Sequence, residues 1–265
     1  MLIRLHFCFA KIVLLEKGIN MTNALRFDVL LATILFLCPA AFAHEGPDPV
    51  LHWNLKASSV KQSKLSARLG PDAVIDGELE AVQSGKFQSL KFDGKDAVIV
   101  AENFRDLKSD FLPSQNLTIS TLVSIEESKE WGGIVGLLQD NGQAESGWIL
   151  GYSQKNFYFG LASEGADDGD GKMTYVRSKS RYELGKMYHV VAVYDGTTMQ
   201  LIVNGKIEGQ SKVQSGKILY PKDAPFTIGS YKDSNEDFRH VGRIADVAIY
   251  DLAAKPEWAA RICSL

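Results

Sequence analysis

Hydrophobic positions along residues 188–205, YHVVAVYDGTTMQLIVNG, fall closer to every second residue than to a 3.6-residue period, and Val, Ile, Tyr and Met dominate them. That pattern specifies strand, because successive side chains of an extended chain point to opposite faces and β-branched residues suit that backbone. The two runs, 189–194 and 199–204, are separated by Asp195-Gly196, and Asn204-Gly205 closes the second. Glycine takes positive φ without a Cβ clash, so both dipeptides predict tight turns. The remaining chain reads the same way. Short runs at 51–55, 73–82, 87–92, 97–100, 117–125, 132–138, 148–152, 156–161, 173–176, 226–229 and 241–250 predict strands, and 117–125 (LTISTLVSI) alternates cleanly. A helical turn or two is predicted only at 256–262, where Pro256 sits at a position whose missing N–H costs little. About twelve short strands with frequent Gly and Asn turns predict an all-β chain: a two-sheet antiparallel β-sandwich with minimal helix.

Four segments carry a resemblance. The hairpin HVVAVYDGTTMQLIVNGK is similar to the signature hairpin of the laminin-G-like, concanavalin A-like lectin/glucanase jelly-roll modules. LHWNL (51–55) resembles the first strand of that family, LKFDG (90–94) its "FdG" strand, and FRHVGRIADVAIYD (238–251) its closing strand, all in the family's order. Tyr188 stands where the family usually has Trp. The resemblance spans residues 50–262 and implies a jelly roll of that type. Its motifs record core packing and turns, so they speak to fold and hardly to function. The family often holds calcium at a sandwich rim, and such modules are often attached to hydrolases, metallophosphoesterases among them.

Residues 1–43 stand apart from the strand pattern. From Met21, a short region with Arg26 leads into the apolar run 29–38 (VLLATILFLC) and then Ala41-Phe42-Ala43, the layout of a secretory signal peptide cleaved after Ala43. Residues 1–20 then read as an upstream extension. A membrane anchor is the weaker reading, since a span needs about 20 apolar residues and Pro39 cuts this run short. The segment carries Arg4, Lys11, Lys17 and Arg26 against Glu16 and Asp28, so its removal takes the formal charge from −3 to −5 and leaves 222 residues. A mildly acidic chain without a Lys/Arg cluster has no electrostatic footprint for nucleic acid or for an anionic membrane. Of three cysteines only Cys263 survives cleavage, which excludes an internal disulfide and a zinc–thiolate site. An exported chain without disulfides fits a periplasmic, secreted or cell-envelope protein. Residues 44–49 (HEGPDP) read as a short polar arm.

Candidate chemistry lies in two loops. Residues 139–147 (QDNGQAESG) offer Asp140, Asn141 and Glu145, and residues 164–171 (EGADDGDG) offer Glu164, Asp167, Asp168 and Asp170. If 132–176 is an up-and-down meander, both loops share one rim with the Asp195-Gly196 turn. Carboxylate and amide oxygens on Gly-rich loops are the hard ligands calcium takes, though the spacing is not that of an EF-hand. The competing reading is that these are solvated loop residues. Residues 232–237 (KDSNED) read as a further solvated loop, and Tyr231 and Phe238, flanking it, are candidates for exposed rings on which a sugar could stack. Trp131 borders a strand and reads as core. No strand carries an E-x-D-x-x-E run of paired acids, and no G-x-S-x-G, H-E-x-x-H or P-loop occurs. The sequence therefore points to a non-catalytic module that binds carbohydrate or an extracellular or envelope protein through its rim loops, with calcium as a possible aid. The alternatives are a sandwich-type hydrolase with an unusual acid pair, an accessory module of a hydrolase, or a structural envelope protein.

Overall fold

The hairpin read from residues 188–205 forms as Met187–Tyr194 paired with Met199–Val203, in register from Val190↔Val203 to Tyr194↔Met199. The computed structural model describes residues 47–141, 144–166 and 172–262. The turn is built by Asp195: its Oδ1 accepts from the Thr197 amide (2.9 Å), the Thr197 hydroxyl (2.8 Å) and the Thr198 amide (2.7 Å). Gly196 follows at φ 87°. Asp195→Ala removes all three bonds and is expected to cost about 1–2 kcal/mol, read as a lower urea midpoint at unchanged slope.

Two antiparallel sheets stack on this hairpin. The eight-stranded sheet runs Lys206–Ser211, Met199–Val203, Met187–Tyr194, Leu117–Ile125, Val241–Tyr250, Phe87–Asp93 and Glu80–Ser84. Val241–Tyr250 is long enough to pair with Phe87–Asp93 by its first half and with Leu51–Asn54 by its second. The nine-stranded sheet runs Thr174–Arg177, Asn156–Leu161, Ala144–Ser153, Gly132–Asn141, Phe226–Ile228, Ala97–Ala101, Ala73–Asp76, Lys64–Leu65 and Val60–Lys61. Trp53, Phe92, Trp148, Tyr152, Phe159 and Phe226 fill the space between, each at most 1% exposed. Burying each contributes about 1.5–3 kcal/mol, so this layer dominates the stability of the fold. Among the described residues no helix is long and apolar enough to cross a membrane.

One expected strand divides. Residues 73–82 become Ala73–Asp76 in the nine-stranded sheet and Glu80–Ser84 in the eight-stranded one. Gly77 turns the chain at φ 111°, and buried Asp96 holds the crossing by accepting from the Glu78 amide at 2.9 Å. Each outer sheet face is also covered in part. Helix Pro256–Ile262 closes the eight-stranded face, with Trp258 edge-on to Tyr250 at 5.0 Å. A two-stranded ribbon, Ser230–Lys232 with Asp237–Arg239, lies over the nine-stranded face. That ribbon makes the site.

Candidate functional site

In the hairpin Gly132–Asn141/Ala144–Ser153, Glu145 stands directly opposite Asp140. Cross-strand partners share a face, so both carboxylates project outward with Leu138 and Ile149. Asn156–Leu161 alternates in the same sense: Phe157 and Phe159 enter the core, and Tyr158 joins the outer face. Tyr175 is registered against Gly160, and a Cβ there would press on the Tyr175 ring at 2.9 Å. Trp131 leans on Tyr158 (centroids 5.4 Å apart) and Tyr175 (5.7 Å), and the Arg177 guanidinium lies 5.3 Å above its ring.

The ribbon supplies the opposite wall. Tyr231 packs on Phe238 at 5.6 Å and sends its hydroxyl to Asp140 Oδ2 at 3.0 Å, where the Tyr175 hydroxyl also donates at 3.3 Å. Asp233 ties the ribbon's loop to the hairpin tip, accepting from the amides of Glu236 (2.7 Å), Asn235 (2.9 Å) and Asp140 (3.2 Å). The result is a cleft of about 290 Å³ with aromatic walls of Trp131, Tyr175, Tyr231 and Phe238 and with Asp140, Glu145 and Glu236 as its acids. Burial pushes the Glu145 carboxyl above the usual range, the Asp140 charge adds to this, and the Met173 amide and the Lys172 charge oppose it. Glu236 is raised by burial and then by Asp233 and Asp140. Burial, reinforced by the Asp140 charge, also drives the Tyr175 and Tyr231 hydroxyls well above their ordinary value, so both stay protonated and donate.

Of the rim expected to join the loops, the described residues show these contacts. The Met173 amide donates to Glu145, the Gly165 amide to the Ser215 carbonyl, and the Gly216 amide to the Gly196 carbonyl. Met173, just after the 163–172 loop, thus meets 139–147, and the Asp195-Gly196 turn is linked to Ser163 and Gly165 through 215–216. Three expectations are corrected. Tyr231 is 2% exposed, because the ribbon folds it against Trp131, so it lines the cleft by an edge and a hydroxyl and offers no open stacking face. The 232–237 loop is not simply solvated: Asp233 is buried beneath it. Trp131, read as core, is only half-buried and forms a cleft wall.

For calcium, Asp140 and Glu145 accept from tyrosine hydroxyls and the Met173 amide, and Asn141 Oδ1 accepts from Ser234 at 3.2 Å. No three His, Cys, Asp or Glu side chains gather as metal ligands among the described residues. Asp167, Asp168 and Asp170 lie outside those residues. A second, smaller hollow of about 90 Å³ is bordered by Asp48, His52, Arg68 and Tyr250. Asp246 lies 2.8 Å from His52 Nε2 and accepts from Asn54 Nδ2 at 2.6 Å, which makes it a link between the first and last strands.

A family model described as the concanavalin A-like lectin/glucanases superfamily matches residues 92–260. The chain belongs to that superfamily. As a concanavalin A-like protein it resembles domain 4 of a GH43 extracellular arabinanase from Geobacillus stearothermophilus, solved with arabinotriose, at TM-score 0.57 and 12% identity over 82% of this chain and 98% of that one. It also resembles Trypanosoma rangeli sialidase, solved with sialic acid, at TM-score 0.54 and 18% identity, over 80% of this chain but 32% of that one. The binding domain of botulinum neurotoxin serotype G matches at TM-score 0.56 and 12% identity, over 82% of this chain and 51% of that one. At such identities these likenesses establish the fold. No curated protein sequence matches the chain. What the sequence hid in this concanavalin A-like sandwich is the acid pair, carried across two strands and not along one, and the role of Trp131. The usable signal was the position of Tyr158 and Tyr175: aromatic residues at outward positions of strands whose inner face was already apolar.

Proposed function

We propose that this chain is an exported, non-catalytic binding module that recognises carbohydrate through the cleft on the outer face of its nine-stranded sheet. One observation carries the reading: Trp131, Tyr175, Tyr231 and Phe238 wall a cleft whose polar groups are the carboxylates Asp140, Glu145 and Glu236. A sugar offers apolar C–H faces to aromatic walls and hydroxyl donors to carboxylates, and this cleft presents both surfaces. The solved arabinanase domain with arabinotriose is in keeping with this use of the fold. Export rests on the pattern of residues 21–43.

The test is a glycan array on residues 44–265, run with calcium and with chelator. Trp131→Ala is expected to weaken binding of the best glycan at least about tenfold, equivalent to about 1.4 kcal/mol, and titration calorimetry checks it. A Trp131→Ala protein that binds its glycan as the parent does would move recognition elsewhere. A second reading, hydrolysis, is favoured by the register that sets Glu145 against Asp140, with burial raising the former as an acid catalyst would need. Release of reducing ends from the bound glycan, abolished in Glu145→Gln, would replace the first reading with this one.

A further inference from the structure

Resting on the carbohydrate reading, we infer that the cleft selects amino sugars, units whose free amine is a protonated ammonium, over N-acetylated, neutral and acidic units. Asp140, Glu145 and Glu236 line one cavity, and Asp233 lies directly behind it, its carboxylate accepting from the Asp140 and Glu236 amides. Among the described residues none of these four acids is in a salt bridge with a Lys, Arg or His side chain. Two nearby cations are otherwise placed. Arg177 lies over the Trp131 ring, and Lys172, an exposed residue, acts on Glu145 only as the weakest of its influences.

The cleft therefore concentrates negative charge in partly desolvated surroundings and leaves its neutralisation to what enters. An aromatic face attracts ammonium groups through the negative end of its quadrupole, a contribution left to the walls other than Tyr231, whose face is not open. Tyr175 and Tyr231 donate hydrogen bonds to Asp140 Oδ2 and so fix the position of its carboxyl group at the cavity wall. A sugar ammonium brings N–H donors and the missing charge at once. Acetylation deletes that charge and substitutes a methyl group. A carboxylated or sulfated unit would meet like charges on both strands of the hairpin and on the ribbon.

The experiment is titration calorimetry of the full chain, at low salt and just below neutral pH, with four tetrasaccharides: glucosamine, N-acetylglucosamine, glucose (cellotetraose) and galacturonic acid. The glucosamine tetramer is expected to bind at least about tenfold tighter than its acetylated form, with the advantage shrinking as salt rises. Glu145→Gln and Glu236→Gln should each lower affinity for the glucosamine tetramer by a larger factor than for cellotetraose, so that the ratio moves toward one. In Glu145→Gln the side-chain carbonyl can still accept from the Met173 amide, and Glu236 lies on the ribbon's loop, so the two variants place independent demands on folding. Acetylated, neutral or acidic tetramers bound as tightly as glucosamine would overturn the inference and leave carbohydrate binding standing. A preference that disappears with chelator would overturn it too, by assigning the acids to a metal ion. Absence of binding in all four titrations, alongside a blank glycan array, would overturn the carbohydrate reading itself.

Discussion

Stability is expected to fall as the pH drops below about 6.5, before most carboxylates titrate. The cause is two buried imidazoles. His240 is fully buried, its ring edge-on between Phe92 (5.7 Å) and Tyr152 (5.5 Å), and neither ring nitrogen has a hydrogen-bond partner. Burial holds its pKa at about 3, against a weaker upward pull from the Ser124 carbonyl. His189 pairs through Nε2 with the Ser120 hydroxyl at 2.8 Å, its Nδ1 is unpartnered, and burial lowers its pKa to about 4. Both folded-state values lie below the unfolded one, so below about pH 6.5 the unfolded chain binds protons that the folded chain refuses. The stabilisation is complete above that pH and is lost progressively toward the folded values. At about pH 5 each ring forfeits roughly 2 kcal/mol, together roughly 4 kcal/mol, a large part of the stability of an ordinary domain. Burial raises Asp96 and Glu145, which act with the opposite sign, but in the lower carboxylate window. Thermal melts across this range are the measurement. His240→Phe keeps both edge-on ring contacts and removes two unpaired nitrogens, so its pH dependence should be shallower and its melting temperature at about pH 5 higher than the parent's. A parent protein whose melting temperature is level between about pH 7 and pH 5 would mean that these rings are hydrated in solution.

The fold was legible because its determinants are local. Asp195-Gly196 and Asn204-Gly205 encode the turns that place Met199–Val203 between its neighbours, and Asn204 itself sits at φ 49°. Tyr188, which stands where the family usually has Trp, packs on Phe157 with its hydroxyl accepting from the Glu183 amide at 2.8 Å. Where the signal failed, the missing information was non-local. Lys206–Ser211 is polar and carries Gly209, and it is a strand because Met199–Val203 offers it an edge. Residues 73–82 change sheets because buried Asp96, distant in sequence, captures the Glu78 amide. The cleft shows the same division. Asp140, Asn141 and Glu145 were visible as a group of acceptors, but the outward face of Asp140 and Glu145 follows from the hairpin register, and the hydroxyls that fix Asp140 come from Tyr175 and from Tyr231 on a ribbon far along the chain. Tyr231 and Phe238 were chosen for an exposure that Tyr231 lacks; they belong to the cleft because the ribbon that buries Tyr231 also aims it.

That dependence makes Gly133 the position where one methyl group should undo the site. The ribbon backbone crosses the nine-stranded sheet directly above it, and a Cβ at Gly133 would overlap the Tyr231 amide nitrogen and the Ser230 carbonyl group. These are backbone atoms, held from both sides: the Gly229 amide donates to Ile134 at 2.7 Å, and the His240 amide to Gly229 at 2.9 Å. No rotamer change can relieve the overlap, so the ribbon must lift. Gly133→Ala is expected to cost about 1–3 kcal/mol or more, the range for forcing volume into packed structure, and to draw the Tyr231 hydroxyl away from Asp140. Glycan affinity should then fall at least about tenfold, together with the near-ultraviolet dichroism of the Trp131–Tyr231 cluster. Gly185→Ala supplies the contrast. Gly185 sits at φ 75° with nothing within 4 Å of an added Cβ, so its substitution carries backbone strain of about 1–2 kcal/mol and should leave glycan binding at the parent's level. Equal losses of stability with unequal losses of binding would separate the cleft from the scaffold that carries it. A Gly133→Ala protein with parental stability and affinity would show that the ribbon is not seated on the sheet, and the cleft with its carboxylates would have to be abandoned.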